Sequence, residues 1–282
     1  MNNSSLRVML CLCCSLVIVS CEKSVDGAKD NPSQKKDETD ISALETFRGL
    51  QEIIWDNKNE LVFSKPAYDE LGRLISFQCY RKQCLKYEYS EEKIVCDEFD
   101  ADGILHTKRT YSLMDGLIYS FVCQYYEKDG TSDSDTYSYE IEYDGSGRFS
   151  RIIENISWFG KTVTELRWNL FGNISESITI CHTNDGEETG NLYVYDYYPT
   201  LAKFPNMTFG PGLLWRNVTC IDAVLVVEGY FGNSMPQNLL KSEVCEGRST
   251  DYLYEQDNGN ITKVKVCGDD GECKYEYSYT WK

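Results

Sequence analysis

From Leu50 onward, apolar and polar residues alternate with a period of two. The clearest runs are Lys86-Tyr87-Glu88-Tyr89, Tyr137-Ser138-Tyr139-Glu140-Ile141-Glu142-Tyr143 and Lys274-Tyr275-Glu276-Tyr277-Ser278-Tyr279-Thr280-Trp281. That period predicts strands with one face buried and one in water. Between them a phrase recurs: an aromatic, polar residues, a glycine, then an apolar residue. It stands at Tyr68 to Leu74, Phe99 to Ile104, Tyr143 to Phe149 and Trp168 to Ile174, with looser copies at Tyr111 to Leu117 and Tyr254 to Ile261. An Asp or Asn after the aromatic can bond its own backbone and start a turn, and the glycine accepts the positive φ that a turn requires. The phrase therefore predicts hairpins, and the fold expected from them is mainly β: a twisted antiparallel meander with aromatic rows packed across neighbouring strands. Such packing accounts for the 21 tyrosines. An aromatic binding face is the sharper use for some of them.

The pattern is interrupted in three places. Residues 22–40 are polar, of mixed charge and without an aromatic, and read as a flexible tether spanning roughly 25 Å. A short helix is expected from about Ser42 to Gln51. Between about 199 and 240 the hairpin phrase disappears, and Pro199, Pro205, Pro211, Gly210 and Gly212 punctuate a loop-rich insert. Within it, the run from Ile221 to Val227 predicts a short helix ending near Gly229. The expected organisation is a leader at 1–20, a tether at 21–40 and one β domain at 41–282 carrying that insert.

The leader reading rests on Arg7, an apolar run from Val8 to Val19, and the junction Val19-Ser20-Cys21. This is the layout of a secretory signal, too short for a membrane span of about 20 residues. The small residues before Cys21 resemble the site at which bacterial lipoproteins are cleaved and acylated. That resemblance implies that Cys21 is the mature N-terminus and carries the lipid. An ordinary cleaved leader is the alternative.

The Tyr-Asp-x-x-Gly-x-Leu phrase at Tyr68 to Leu74 resembles the YD repeat of Rhs-type proteins. Taken together, Cys21, the tether, the hairpins, Gly229-Tyr230-Phe231-Gly232 with Pro236, and Tyr279-Thr280-Trp281 resemble an uncharacterised domain family of Bacteroidetes envelope lipoproteins. The likeness spans about residues 50–282. It implies a lipid-anchored protein of the cell envelope, at the outer membrane, with an antiparallel β domain and no catalytic residues to carry over. The repeats are irregular, and the chain is too short to enclose a toxin as the large Rhs shells do.

Charge and chemistry refine this picture. A net charge of −17 excludes nucleic acid as a partner and gives no electrostatic attraction to anionic lipid. Nine cysteines follow Cys21, an odd number. Cys267 and Cys273 flank a turn that sets them across a hairpin, and are the first candidate disulfide; Cys79 and Cys84 are the second, if Arg81-Lys82 forms a two-residue turn. Motifs for a serine nucleophile or a zinc hydrolase are absent, and His106 and His182 are the only histidines. Cys181 and His182, as strand neighbours, would face opposite sides. Glu98, Asp100, Asp102 and Gly103 imitate half of a calcium loop, but Arg109 stands where its bidentate Glu belongs. Asp129 to Asp135 is an exposed oxygen-rich turn. No cofactor or metal site is expected. The leading reading is a noncatalytic envelope lipoprotein that binds a glycan or an envelope protein or takes part in assembly. Alternatives are a carbohydrate-active enzyme with unidentified Asp or Glu residues, or a purely structural component.

Overall fold

The computed structural model describes residues 48–56, 60–79, 83–201, 222–234 and 236–281. Cys21, the leader and the tether lie outside these residues. Of the helix expected from about Ser42 to Gln51, Arg48 and Gly49 are helical, while Leu50 and Gln51 already belong to the first strand.

Sixteen strands follow in chain order. They are β1 (Leu50–Trp55), β2 (Glu60–Tyr68), β3 (Leu74–Cys79), β4 (Cys84–Tyr89), β5 (Lys93–Phe99), β6 (Leu105–Met114), β7 (Leu117–Tyr126) and β8 (Ser132–Tyr143). The second half comprises β9 (Phe149–Ile156), β10 (Gly160–Trp168), β11 (Ile174–Thr183), β12 (Glu188–Leu201), β13 (Asn238–Cys245), β14 (Arg248–Asp257), β15 (Asn260–Gly268) and β16 (Cys273–Trp281). Each pairs antiparallel with its sequence neighbours. The expected open meander is corrected at one place: β1 pairs with β16, Ile53 opposite Tyr279, so the sheet is a closed barrel. Closure removes the two free edges that a meander would leave.

Alternation along each strand then sorts inside from outside. Tyr87, Tyr111, Phe121, Tyr139, Tyr252 and Tyr277 are buried in one core with the aliphatic residues of neighbouring strands. Phe121 and Tyr139 stack at 4.2 Å between centroids across β7 and β8. Opposite charges face each other across adjacent strands on the outer side. Glu142 meets Arg151, Arg167 meets Glu176, and Lys265 meets Glu276. Each such pair contributes little alone, and on β10 to β13 the outer face also carries apolar residues, among them Leu192, Val194 and Val244.

The recurring phrase has a common geometry. Asp69 Oδ1 accepts from the N–H groups of Leu71 and Arg73, Asp100 from Asp102 and Ile104, Asp144 from Ser146 and Arg148, and Asn169 from Phe171 and Asn173. The looser copies are tighter turns, with positive φ at Asp115-Gly116 and at Asn258-Gly259. The aromatic that precedes several turns has its own task. Tyr89, Tyr143, Trp168, Tyr254 and Trp281 each donate to the carbonyl of the first or a near-first residue of the preceding strand: Leu74, Ile118, Phe149, Leu240 and Ile261. A ring thus covers the core edge while its polar tip satisfies a backbone acceptor at the rim.

Because the strands run alternately up and down, the β2–β3, β4–β5, β6–β7, β8–β9, β10–β11, β12–β13 and β14–β15 connections share one rim with the start of β1. We call it the near rim; the remaining turns form the far rim. The β12–β13 connection contains the predicted helix as α1 (Ala223–Val227), capped by Asp222 and followed by Gly229 at φ 85°. Val224, Leu225, Val226, Val227 and Phe231 are buried in the core. The insert is fastened to four near-rim hairpins. Leu74 N–H donates to Glu228, Ile118 N–H to the Tyr230 carbonyl, Asn233 N–H to the Gly147 carbonyl, and Asn173 and Asn238 exchange two bonds. It is a plug over that end.

Gly232 shows how closely the plug fits: its φ is 64°, and a Cβ there would lie 2.2 Å from the Gly147 carbonyl oxygen. Gly232→Ala is expected to lower stability by about 3 kcal/mol, whereas Gly116→Ala, where a Cβ meets nothing within 4 Å, should cost about 1 kcal/mol. Equilibrium urea unfolding separates the two. Tyr143→Phe, which removes only the bond to Ile118, should cost about 1 kcal/mol in the same assay.

Candidate functional site

Beneath the plug, the inward phase of β4 to β7 is interrupted by polar groups. The register places Tyr87, Cys96, Arg109 and Cys123 side by side on successive strands. The Arg109 guanidinium donates to Glu98 Oε2 at 3.1 Å and reaches Cys96 Sγ at 4.0 Å. Above them, Asp222 Oδ2 accepts from the Tyr87 hydroxyl at 2.9 Å and the Tyr111 hydroxyl at 3.5 Å, while its Oδ1 caps α1 through Val224 N–H. One carboxyl therefore joins the plug to the barrel wall.

Further round, the interior towards the far rim stays polar. Glu154 accepts from the Tyr139 hydroxyl at 2.7 Å, Thr164 bonds Thr179, Thr162 donates to Cys181 Sγ, and Ser177 bonds the Tyr195 hydroxyl. Apart from the Arg109–Asp222 cluster the interior under α1 is apolar, and on β8 to β12 the inward phase towards the far rim carries these hydrogen-bonding groups.

Burial dominates the electrostatics. It pushes the Asp222 carboxyl up, against the pull of Arg109 and of its hydrogen bonds. Burial also raises Glu154, opposed by the Tyr139 hydroxyl. The thiols follow: Cys79 is pushed up to about 12, Cys96 well above its usual range, and Cys123 upward in spite of Arg109. A thiol raised in this way is a poor nucleophile at neutral pH.

The residues singled out from the sequence fall in different places. Cys21 lies outside the described residues. Cys267 and Cys273 are opposed across β15 and β16 with their sulfurs joined. Cys79 and Cys84, the second candidate disulfide, are both free thiols. The register sets Gln78 opposite Cys84, so Cys79 turns inward with Phe77 while Cys84 takes the outer face with Lys86. Cys181 faces inward, and His182 faces outward against Glu188 at 3.2 Å. The half calcium loop does not converge, because Glu98 turns in to Arg109 and the Asp100 Oδ1 is occupied by its turn. Asp129 likewise accepts from Thr131 N–H and its hydroxyl.

Arg109 and Asp222 escaped the sequence reading. A signal for Arg109 was present: in Thr107-Lys108-Arg109-Thr110-Tyr111 it shares the phase of Thr107 and Tyr111, both buried. Asp222 directly precedes an apolar run, as an N-cap does.

The fold so assembled is a closed sixteen-stranded antiparallel barrel, plugged at one end. Among solved structures it is similar to a porin-like protein from Bacteroides vulgatus ATCC 8482, with a TM-score of 0.58 and 12% identity over 83% of this chain and 98% of that one. A porin-like protein from Bacteroides uniformis ATCC 8492 aligns with a TM-score of 0.51 and 14% identity, again over 83% and 98%. These likenesses are of fold. No protein-family model matches the chain, and no curated protein matches it.

The raised Asp222 carboxyl gives stability a defined pH dependence. Unfolded, it ionises near 3.8; folded, it ionises higher. Between those two points the folded state holds a proton that the unfolded state has lost, so this group makes stability fall as pH rises. Asp222→Asn keeps the cap and removes the titration. It is expected to leave stability at pH 7 equal or higher and to flatten the pH profile above about 4; a large loss at pH 7 in urea unfolding would show instead that the charge serves Arg109.

Proposed function

We propose that this chain is a lipid-anchored protein of the bacterial cell envelope, held at the outer membrane through Cys21. Its barrel is a noncatalytic module for binding or assembly. The observation that carries this reading is the direction of the side chains. Apolar and aromatic groups fill most of the barrel, and charged residues face outward on β4 to β6, β8, β15 and β16, beside an outward apolar set of Val163, Ile178, Ile180, Leu192, Val194 and Val244 on β10 to β13. A barrel that crosses a membrane needs an apolar outer band about 25 Å tall and a polar lumen. Here Lys86, Glu88, Lys93, Lys108, Glu140 and Glu276 occupy outward positions on strands around the wall. The likeness to porin-like proteins of Bacteroides supports the envelope, while the charged outward positions on β4 to β6, β8, β15 and β16 interrupt a continuous apolar band and favour a barrel beside the bilayer. Such a barrel reaches a membrane through an anchor, which is what the Ser20-Cys21 junction supplies.

The interior favours binding over catalysis. Glu98 is committed to Arg109, Glu154 to Tyr139 and Asp222 to two tyrosines and a helix cap. A glycosidase would need two facing acids free to act on a substrate, and these acids are engaged in structure. Tyr125 and Tyr137, in edge contact at 5.1 Å and only partly buried, are aromatic faces that suit a hydroxyl-rich ligand such as a glycan. The YD-like hairpins supply the wall that holds it.

Growth with a labelled fatty acid tests the anchor. Cys21→Ala is expected to abolish labelling and to release the protein from the membrane fraction; labelling that persists in this variant would exclude acylation at Cys21. Envelope glycans added to the mature chain should raise its Tm, and no rise with any of them would leave the assembly role alone.

A further inference from the structure

The near rim carries large apolar side chains that its turns do not bury. Leu71 is 71% exposed, Met114 62%, Leu170 102% and Phe171 79%. They stand on the β2–β3, β6–β7 and β10–β11 hairpins. The Asx bonds at Asp69 and Asn169 define those backbones without using the side chains at the tips. The plug bonds these three hairpins at their bases, through Leu74, Ile118 and Asn173, and leaves the side chains at their tips uncovered. The apolar tips therefore project from alternate hairpins of one rim.

Two facts say what meets them. First, β1 begins at this rim, so the residues before Arg48, with Cys21 among them, join the barrel here. Second, among the described residues the far rim is the more acidic: Asp100, Asp102, Glu127, Asp129, Asp185, Glu187, Asp269, Asp270 and Glu272 lie in its turns. At the near rim Asp69 and Asp144 are paired with Arg73 and Arg148, leaving Glu70, Glu91, Glu92 and Asp115. The far rim also has Trp158, 48% exposed, but in edge contact with Phe159.

We propose that the near rim rests on the bilayer, with Leu71, Met114, Leu170 and Phe171 entering its interfacial layer, so that the barrel stands end-on with its acidic rim outward. The proposal rests on the reading of Cys21 as the lipid-bearing residue. Side chains that enter an interface add affinity in proportion to the apolar area they bury, and few suffice when a tether already holds them near. The acid excess favours a zwitterionic surface over an anionic one.

The mature chain with Cys21→Ser, which has no acyl group, reads the rim alone. It is expected to co-sediment with phosphatidylcholine vesicles at millimolar lipid, and less with vesicles containing phosphatidylglycerol. Combined Leu71→Ser, Met114→Ser, Leu170→Ser and Phe171→Ser should lower the partition coefficient at least about tenfold. Ile104→Ser with Trp158→Ser, on the far rim, should change it less than about twofold. Leu170→Glu alone repeats the test if the fourfold variant loses its circular dichroism spectrum. No partition by the parent, or equal partition by a folded near-rim variant, would overturn the proposal. Fatty-acid labelling of the natural chain tests the anchor separately: rim-dependent partition without labelling would keep the rim contact and remove the anchor.

Discussion

A sheet of sixteen strands closed on itself has an inside, and that inside must be filled or hydrated, because unpaired polar groups and empty space are both costly there. In this protein the pairing of β1 with β16 creates the constraint. Inward tyrosines and phenylalanines meet most of it, since an aromatic row reaches further from a curved wall than an aliphatic one. The insert meets the rest at the near rim, where α1 and Phe231 complete the core. Without closure, the same strands would be a ribbon with a bare aromatic face.

The rim aromatics connect the hairpins to that core. Tyr143 and Trp168 end strands whose next residues turn away, and each bonds a carbonyl of the preceding strand. Aromatic before Asp or Asn is thus a joint between two demands: a ring for the core edge and a turn former for the chain. The Tyr87 hydroxyl, held by Asp222, extends the same device into the interior, where it fixes the plug. Core and plug become one cooperative unit, and a change as small as a Cβ at Gly232 is felt by the β8–β9 hairpin.

What favours a barrel beside the bilayer is the set of charged residues that face outward on β4 to β6, β8, β15 and β16. Hydrogen-bonding geometry in a closed sheet is indifferent to which face is apolar, so two barrels can share topology and live in different solvents. The near rim, with its tether and its four exposed tips, is where this barrel meets lipid on our reading, and the acids of the far rim remain in water.

Local rules made much of this legible. The period of two identifies the strands, and the Asp or Asn with glycine identifies the turns at Asp69, Asp100, Asp144 and Asn169, because both depend on residues within a few positions of each other. The helix before Gly229 is legible for the same reason. Register was less so: the pairing of Cys84 with Gln78 rather than Cys79 depends on a turn of atypical residues. Arg109 and Asp222 lie 113 positions apart in the chain, and no local pattern announces that they belong to one cluster. Closure, likewise, rests on Ile53 meeting Tyr279, a contact between the two ends of the domain. Short-range sterics and hydrogen bonds write strands and turns into the order of residues, whereas the curvature that brings β1 to β16, and so decides what is inside, emerges only when every strand's twist is added to the next.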